Sequence, residues 1–148
     1  MPSTYLSLHY HLVFATKGRA PFIKPEWQSR LHEYLGGTVK GLGGVSQAVG
    51  GVADHVHLLV GLKATHRLAD FLRELKRAAS LWVHEEALCR DFAWQEGYGA
   101  FTVSPPARAG VVEYIANQAE HHRSRSFRDE FLELLAKAGI PIDDRFLE

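Results

Sequence analysis

The chain predicts an α+β fold, with one antiparallel sheet, helices on one of its faces and further helices at the C-terminal end. Three patterns predict it. Apolar residues alternate with polar or small ones over residues 5–15, 44–53 and 55–62, as in strands. Helical spacing replaces alternation over residues 25–40, 66–90, 107–122 and 127–138. Glycine and proline stand between these segments and punctuate them.

Tyr5 to Ala15 is rich in aromatic and aliphatic residues and reads as the first strand. Thr16 to Lys24 is a loop marked by Gly18 and Pro21. Pro25 opens a helix to about Lys40, since proline suits the first helical turn; Trp27, Leu31, Tyr34 and Leu35 form its apolar stripe, and Gly36 and Gly37 weaken its end. Gly44 to Ala53 and His55 to Leu62 read as a hairpin. His66 to about Arg90 is a long helix with Leu68, Phe71, Leu72, Leu75, Ala79 and Trp82 on one side. Phe92 to Ser104 is aromatic and glycine-containing, a strand and turn. Pro105 and Pro106 break the chain before helices at Ala107 to about His122 and Phe127 to Ala138, the latter stopped by Gly139 and Pro141. The order β-α-β-β-α-β is the ferredoxin-like, split-βαβ arrangement. A single domain over 1–148 is expected, with a sheet-and-helix core over 1–104 and a C-terminal helical part over 105–148. Val56, Leu58 and Val60 should face the helices, and His55 and His57 the opposite side, left free for a ligand or partner.

The hydrophobic fraction of 46% excludes a disordered chain. No apolar run approaches the roughly 18 residues of a membrane span, and the first residues lack a signal-peptide pattern, so a cytoplasmic protein is expected. The lone Cys89 is read as a packing residue. With 17 basic and 17 acidic residues the chain is not a generic nucleic-acid-coating protein. Its basic residues cluster, however, at Lys17 and Arg19, along Arg67, Arg73, Lys76 and Arg77, and through His121, His122, Arg123, Arg125 and Arg128, and local patches bind phosphate on a neutral protein. Acids concentrate at Glu85, Glu86 and the C-terminal tail.

His55 and His57 are two apart on a strand, so their side chains share a face with Cα atoms roughly 6.5–7 Å apart. Imidazoles at that spacing can converge on one divalent ion and leave coordination positions open. Histidine suits zinc, manganese, cobalt and nickel by softness, whereas phosphate oxygens at a site admit magnesium. His9 and His11 form a rival pair on the first strand, and spacing alone does not choose. Tyr114 and Gln118 are four apart and share a helix face, which places an amide oxygen near the tyrosine as a third possible metal ligand. A tyrosine hydroxyl beside a phosphate-polarising metal can attack a phosphodiester and conserve its energy as a phosphotyrosine. Tyr5, Tyr10, Tyr34 and Tyr98 fit packing roles within strand patterns or an apolar stripe.

Several of these segments, in order, resemble the HUH-superfamily single-strand DNA transposases with one catalytic tyrosine, of the insertion sequence 200/605 type. They are His11 to Lys17, Asp54 to Leu59, Leu75 to Ser80, Phe92 to Phe101, and Tyr114 to Arg123 with Ser126, Phe127, Glu130 and Phe131 after it. The resemblance implies a metal, magnesium or manganese, held by His55, His57 and Gln118. It implies Tyr114 as the nucleophile that becomes joined to a DNA 5′-phosphate. It also implies cutting and rejoining of single-stranded DNA at hairpin-marked ends by a homodimer whose active sites are composed in trans. Lys17, Arg19, Arg73, Lys76, Arg77 and Arg123 are the candidate DNA contacts. A domesticated branch acts on repetitive palindromes and usually follows the helix asparagine with proline; here Gln118 follows Asn117, which favours the mobile-element branch. A catalytically dead hairpin binder and a water-using phosphoesterase are the readings from other classes.

Overall fold

The computed structural model describes residues 4–142. Its strands are β1 (His9–Ala15), β2 (Val45–Val52), β3 (His55–Gly61) and β4 (Gly99–Thr102). They form one antiparallel sheet in the order β2-β3-β1-β4, as the split-βαβ arrangement requires. The helices are α1 (Pro25–Gly41), α2 (Leu68–Glu85), α3 (Arg108–Ala116), α4 (Gln118–His121) and α5 (Phe127–Lys137). The acidic tail lies outside the described residues.

The main core is built by the two predicted periodicities meeting. Leu12 and Phe14 of β1 and Val56, Leu58 and Val60 of β3 point to one face. Trp27, Leu31, Leu35 and Val39 of α1 and Phe71, Leu72, Leu75, Ala79 and Val83 of α2 cover them. Each such buried side chain contributes on the order of 1.5–3 kcal/mol by leaving water. The helix–sheet assignment of Val56, Leu58 and Val60 therefore stands.

The opposite face is not free. Val13 and Ala15 pack with Phe127, Phe131 and Leu134, and Leu59 packs with Ile115, Val111 and Tyr114. The C-terminal helices form a third layer over the sheet. Two glycines permit the close approach. A Cβ on Gly50 would collide with the Ile115 carbonyl and come 2.9 Å from its Cγ2, so only glycine lets α3 lie directly on β2. A Cβ on Gly99 would come 2.7 Å from the Phe131 ring, which seats α5 against β4.

Several boundaries differ from expectation. β1 starts at His9, where its partner Gly61 ends the pairing with β3, and Tyr5 is 91% exposed and packs no core. α2 spans Leu68–Glu85, ending before Ala87, which takes the left-handed φ of 55°. The strand within 92–104 is only Gly99–Thr102, because the preceding aromatics Phe92 and Trp94 pack against the main core. The helix expected over 107–122 is interrupted at Asn117 (φ −101°, ψ 22°), so Tyr114 and Gln118 belong to successive helices.

Candidate active site

β3 lies between β2 and β1, so its inward side chains are screened from water on both flanks. His55 and His57 are both 0% exposed, on the face covered by α3–α5. Their rings stand 5.0 Å apart. Each is held from behind. Asp54, at the β2–β3 turn, accepts a 2.7 Å hydrogen bond from His55 Nδ1. His11, from β1, makes a 2.8 Å Nε2–Nδ1 bond with His57. These partners leave both Nε2 atoms aimed into the space under the C-terminal helices, the way outer partners orient metal-binding histidines.

The other half of the site comes from α3, α4, the turn after α4, and α5. Ser126 caps α5, its Oγ accepting from Asp129 N at 3.1 Å, and this sets the first turn that carries Glu130. Phe127 lies with its ring 4.3 Å from that of His55 and anchors the turn. His122 donates from Nδ1 to the Arg125 carbonyl at 2.8 Å, so its Nε2 also points inward. Glu130 Oε1 stands 3.1 Å from His57 Nε2, 3.1 Å from His122 Nε2 and 3.4 Å from His55 Nε2. Gln118 Oε1 is 3.0 Å from His55 Nε2 and 3.1 Å from His122 Nε2, while its Nε2 donates to Glu130 Oε2. Tyr114 donates its hydroxyl to that same Oε2. The cluster of His55, His57, His122 and Glu130 is compatible with one divalent metal ion.

The electrostatics follow from burial against close partners. Burial works against charge on His55, but Asp54 and Glu130 outweigh it and raise its pKa to about 9. Burial dominates at His57, lowered to about 4, and at His11, lowered to about 3 with the His57 ring adding. Burial would raise the Glu130 carboxyl, yet its bonds to His122, His55 and His57 win and hold it far below the ordinary range. Burial and the Glu130 carboxylate push the Tyr114 hydroxyl above the usual tyrosine range. In this pose Tyr114 is a proton donor at rest. Its ring edges a cavity of about 420 Å³ that is also lined by His11, His121, Arg125 and Lys137.

The structure brings His55, His57, Tyr114 and Gln118 together, as the sequence suggested. Within the single chain, Tyr114 lies against its own histidines. His9 and His11 do not form a metal pair; His11 instead positions His57. His122, Glu130, Asp54 and His11 were missed as members of the site. The basic candidates scatter. Lys17 and Arg19 form a short turn after β1, beside the Asp54 end of the site, where Thr16 N bonds the Asp54 carbonyl at 2.9 Å. Arg73 and Arg77 lie on α2, in the layer beyond the sheet, paired with Asp70 and Glu74. Lys76 donates to the carbonyls of Gln95, Glu96 and Gly97 at 2.6–3.1 Å and lies over the Phe14 ring, so it braces the turn before β4 and has no donor left for phosphate. Arg123 is exposed and pairs with Glu120.

Comparison with known proteins bears on the same residues. Residues 4–118 match the family described as IS200-like transposases. The ISDra2 transposase TnpA of Deinococcus radiodurans is 29% identical over 119 residues, which cover 75% of this chain and 84% of that protein. A crystal structure described as a transposase from Deinococcus radiodurans superposes with a TM-score of 0.63 at 29% identity, covering 80% of this chain and 96% of the other. A REP-associated tyrosine transposase bound to a REP hairpin shares the fold, with a TM-score of 0.58 at 14% identity, covering 87% and 79%. No helix among the described residues is long and apolar enough to cross a membrane.

Proposed function

The chain belongs to the IS200-like family of HUH-superfamily tyrosine transposases, and from that membership and its site we propose that it nicks and rejoins single-stranded DNA through a covalent phosphotyrosine on Tyr114. The observation that carries this reading is one carboxylate. Glu130 binds the Tyr114 hydroxyl with one oxygen and stands at the inward histidine nitrogens with the other, so nucleophile and metal cluster share a place.

His55 and His57 would hold the divalent ion, with Gln118 beside them, and their outer partners Asp54 and His11 keep the rings turned inward. The ion, when bound, supplies positive charge at the non-bridging oxygens of the scissile phosphate. Tyr114 Oη attacks phosphorus, and its proton passes to Glu130. The Tyr–phosphate bond forms as the bond to the 3′-oxygen breaks, and that oxygen takes a proton from water. The product is a 5′-phosphotyrosine and a free 3′-hydroxyl. The reverse step, with a different 3′-hydroxyl, releases Tyr114 and joins strands without an external energy source. The substrate is single-stranded DNA marked by hairpins; the REP-associated structural neighbour is bound to a REP hairpin, which supports a hairpin as part of it. Lys17 and Arg19, at the site's edge, and the exposed Arg123 are its proposed phosphate contacts. A homodimer completes the reading, because two element ends need two tyrosines. In it, α3–α5 exchange between subunits about the turn at Pro105–Ala107. A domesticated enzyme acting on palindromic repeats has the same chemistry, and Gln118 after Asn117 favours the mobile-element branch.

A denaturing gel tests the central step. The wild type, given an oligonucleotide with a hairpin and single-stranded flank, forms a covalent protein–DNA band. Tyr114→Phe keeps the ring and loses the band. A band that persists in the variant assigns the chemistry to another residue.

A further inference from the structure

Gly110 stands one turn before Tyr114 on the same face of α3, and nothing in the packing asks for a glycine there. Its φ is not positive, and a Cβ built on it would meet no atom within 4 Å. Glycine inside a helix is less stable than alanine, because its unfolded chain has more freedom to lose. Gly50 and Gly99 let helices approach the sheet, whereas Gly110 leaves open space beside the Tyr114 ring. We propose that this space, the cavity of about 420 Å³ at Tyr114, receives the base of one nucleotide flanking the scissile phosphate, and that Gly110 keeps it open. The inference rests on the reading of Tyr114 as the nucleophile and names the part of the strand that must be seated for attack.

The walls suit a flat, partly apolar, anionic ligand. Ala107, Val111 and Leu134 give apolar faces. The rings of His11 and Tyr114, with centroids 6.0 Å apart and planes at 76°, add an aromatic corner. Arg125 and Lys137 bring two cations to the same cavity. Both are tied to Glu133, at 2.6 and 2.9 Å, and Arg125 also donates to the Asp129 carbonyl. The Glu133 side chain is 43% exposed, so these pairs are weak and a phosphate can take its place. The other carboxylate of the cavity, Glu130, is turned to Tyr114 and the histidines. The volume lies within the roughly 300–1,000 Å³ of small-ligand sites.

Charge gives the strand its side of approach. The cavity on the other flank of Tyr114, about 530 Å³, is lined by Glu113 and Glu120 with no arginine or lysine in its walls, and Arg123 pairs with Glu120 alone. That flank repels a phosphate backbone. A further cavity of about 410 Å³ shares Ala107, Val111, Leu134 and Lys137 with the first and runs on to Phe101 and Thr102. A strand lying along β4 therefore reaches the Tyr114 hydroxyl from the basic side. Arg125, Leu134 and Lys137 lie beyond residue 118, where the family match ends, so this wall belongs to the chain's own C-terminal part.

The test uses the full chain with magnesium or manganese and the oligonucleotide of hairpin and single-stranded flank. One abasic unit is placed in turn at each position around the bond that the wild type cuts. A single position next to that bond should slow adduct formation by about 10- to 100-fold, the worth of one seated base, and the others far less. Gly110→Leu fills the space from a helical position that favours leucine, so circular dichroism should match the wild type and the melting temperature should not fall. It should slow adduct formation on the intact strand by a similar factor, and the abasic strand should lose nothing further in it. Ala107→Leu fills the cavity from another wall and should behave alike. Lys137→Gln should lower the slope of the salt dependence of strand binding by about one.

Wild-type rates in both filled variants overturn the pocket, as does an abasic scan without a position-specific loss. Losses from variant and abasic unit that add in full mark a disturbed helix and overturn it too. An unaltered salt slope in Lys137→Gln overturns the placement of the phosphate. A wild type that forms no adduct, yet whose strand binding falls tenfold in Gly110→Leu, overturns the nucleophile and keeps the pocket.

Discussion

Gly50→Ala adds one methyl group on β2, far in sequence from Tyr114, and should nevertheless disable strand cleavage. The added Cβ would meet Ile115, the residue after Tyr114, with its Cγ2 at 2.9 Å and its carbonyl carbon at 3.2 Å. Carbon–carbon contacts settle at about 3.5–4.0 Å, so α3 must lift from the sheet by roughly 0.6 Å or more. The backbone carbonyl of Ile115 cannot rotate away as a side chain can. Overpacking of this kind costs about 1–3 kcal/mol. The lift is also passed to the Tyr114 hydroxyl, and a misplacement near 1 Å costs on the order of 100-fold in rate. The expected result is a rate of covalent adduct formation down by about 10- to 100-fold, with the melting temperature lowered by several degrees. Metal affinity through His55 and His57 should change little. Full adduct formation with an unchanged melting temperature would refute the claim that Gly50 seats the tyrosine helix.

Four further outcomes follow from the same geometry. His11→Ala should lower metal affinity by about 10–100-fold while leaving the protein folded, because it removes the partner that orients His57; unchanged affinity in a metal titration counts against that role. The metal-free protein should be most stable near pH 6.5. The pKa of about 9 at His55 is above its unfolded 6.5, so its contribution is complete below pH 6.5 and is lost as pH rises toward 9. Those of His57 and His11, about 4 and about 3, lie below 6.5, so stability is lost as pH falls from 6.5 toward those values. Melting curves without metal test both arms, and zinc should flatten the alkaline one, since a bound His55 carries no second proton. Mixed Tyr114→Phe and His57→Ala proteins should recover cleavage if α3–α5 exchange between subunits; no recovery in verified heterodimers fixes the cis arrangement as the working one. A hairpin with a single-stranded flank should bind more tightly than plain duplex at equal salt, and equal affinities oppose a single-strand enzyme.

The layer of α1 and α2 was legible because period-3.6 stripes and period-2 alternation each name the face they bury. Leu31, Leu35, Leu72 and Leu75 could have been assigned to the core from spacing alone, and they are in it. The covered second face was harder to foresee. His55 and His57 look like residues awaiting a ligand, because polar side chains on a strand suggest an exposed face. What covers that face, Phe127 and Phe131 over Val13 and Ala15, belongs to a helix whose stripe does not say which surface it meets. Gly50 and Gly99 were the available signal. Glycine within a strand often marks a backbone or ring that comes close, and both glycines mark where the third layer lands.

The site divides along the same line. Local spacing puts His55 with His57 and Tyr114 with Gln118 on shared faces, but spacing alone did not choose this pair over His9 and His11, and the family resemblance did. Glu130 owes its role to a fold-back. It is one residue past the Ser126–Asp129 cap that starts α5, and in sequence it resembles the acidic residue common in any first helical turn. His122 sat inside a basic run and was read as charge for phosphate, yet its Nδ1 is tied to the Arg125 carbonyl and its Nε2 faces the cluster. The run His121 to Arg125 is thus two things at once. Its arginines point toward solvent and the cavity, while His122 and His121 both bring Nε2 toward Glu130, at 3.1 and 3.5 Å. A helix continued past His122 would have carried that histidine around with its neighbours. The turn that ends α4, together with the break at Asn117, lets one short stretch of chain present the Tyr114 hydroxyl, an amide and imidazoles to the same carboxylate.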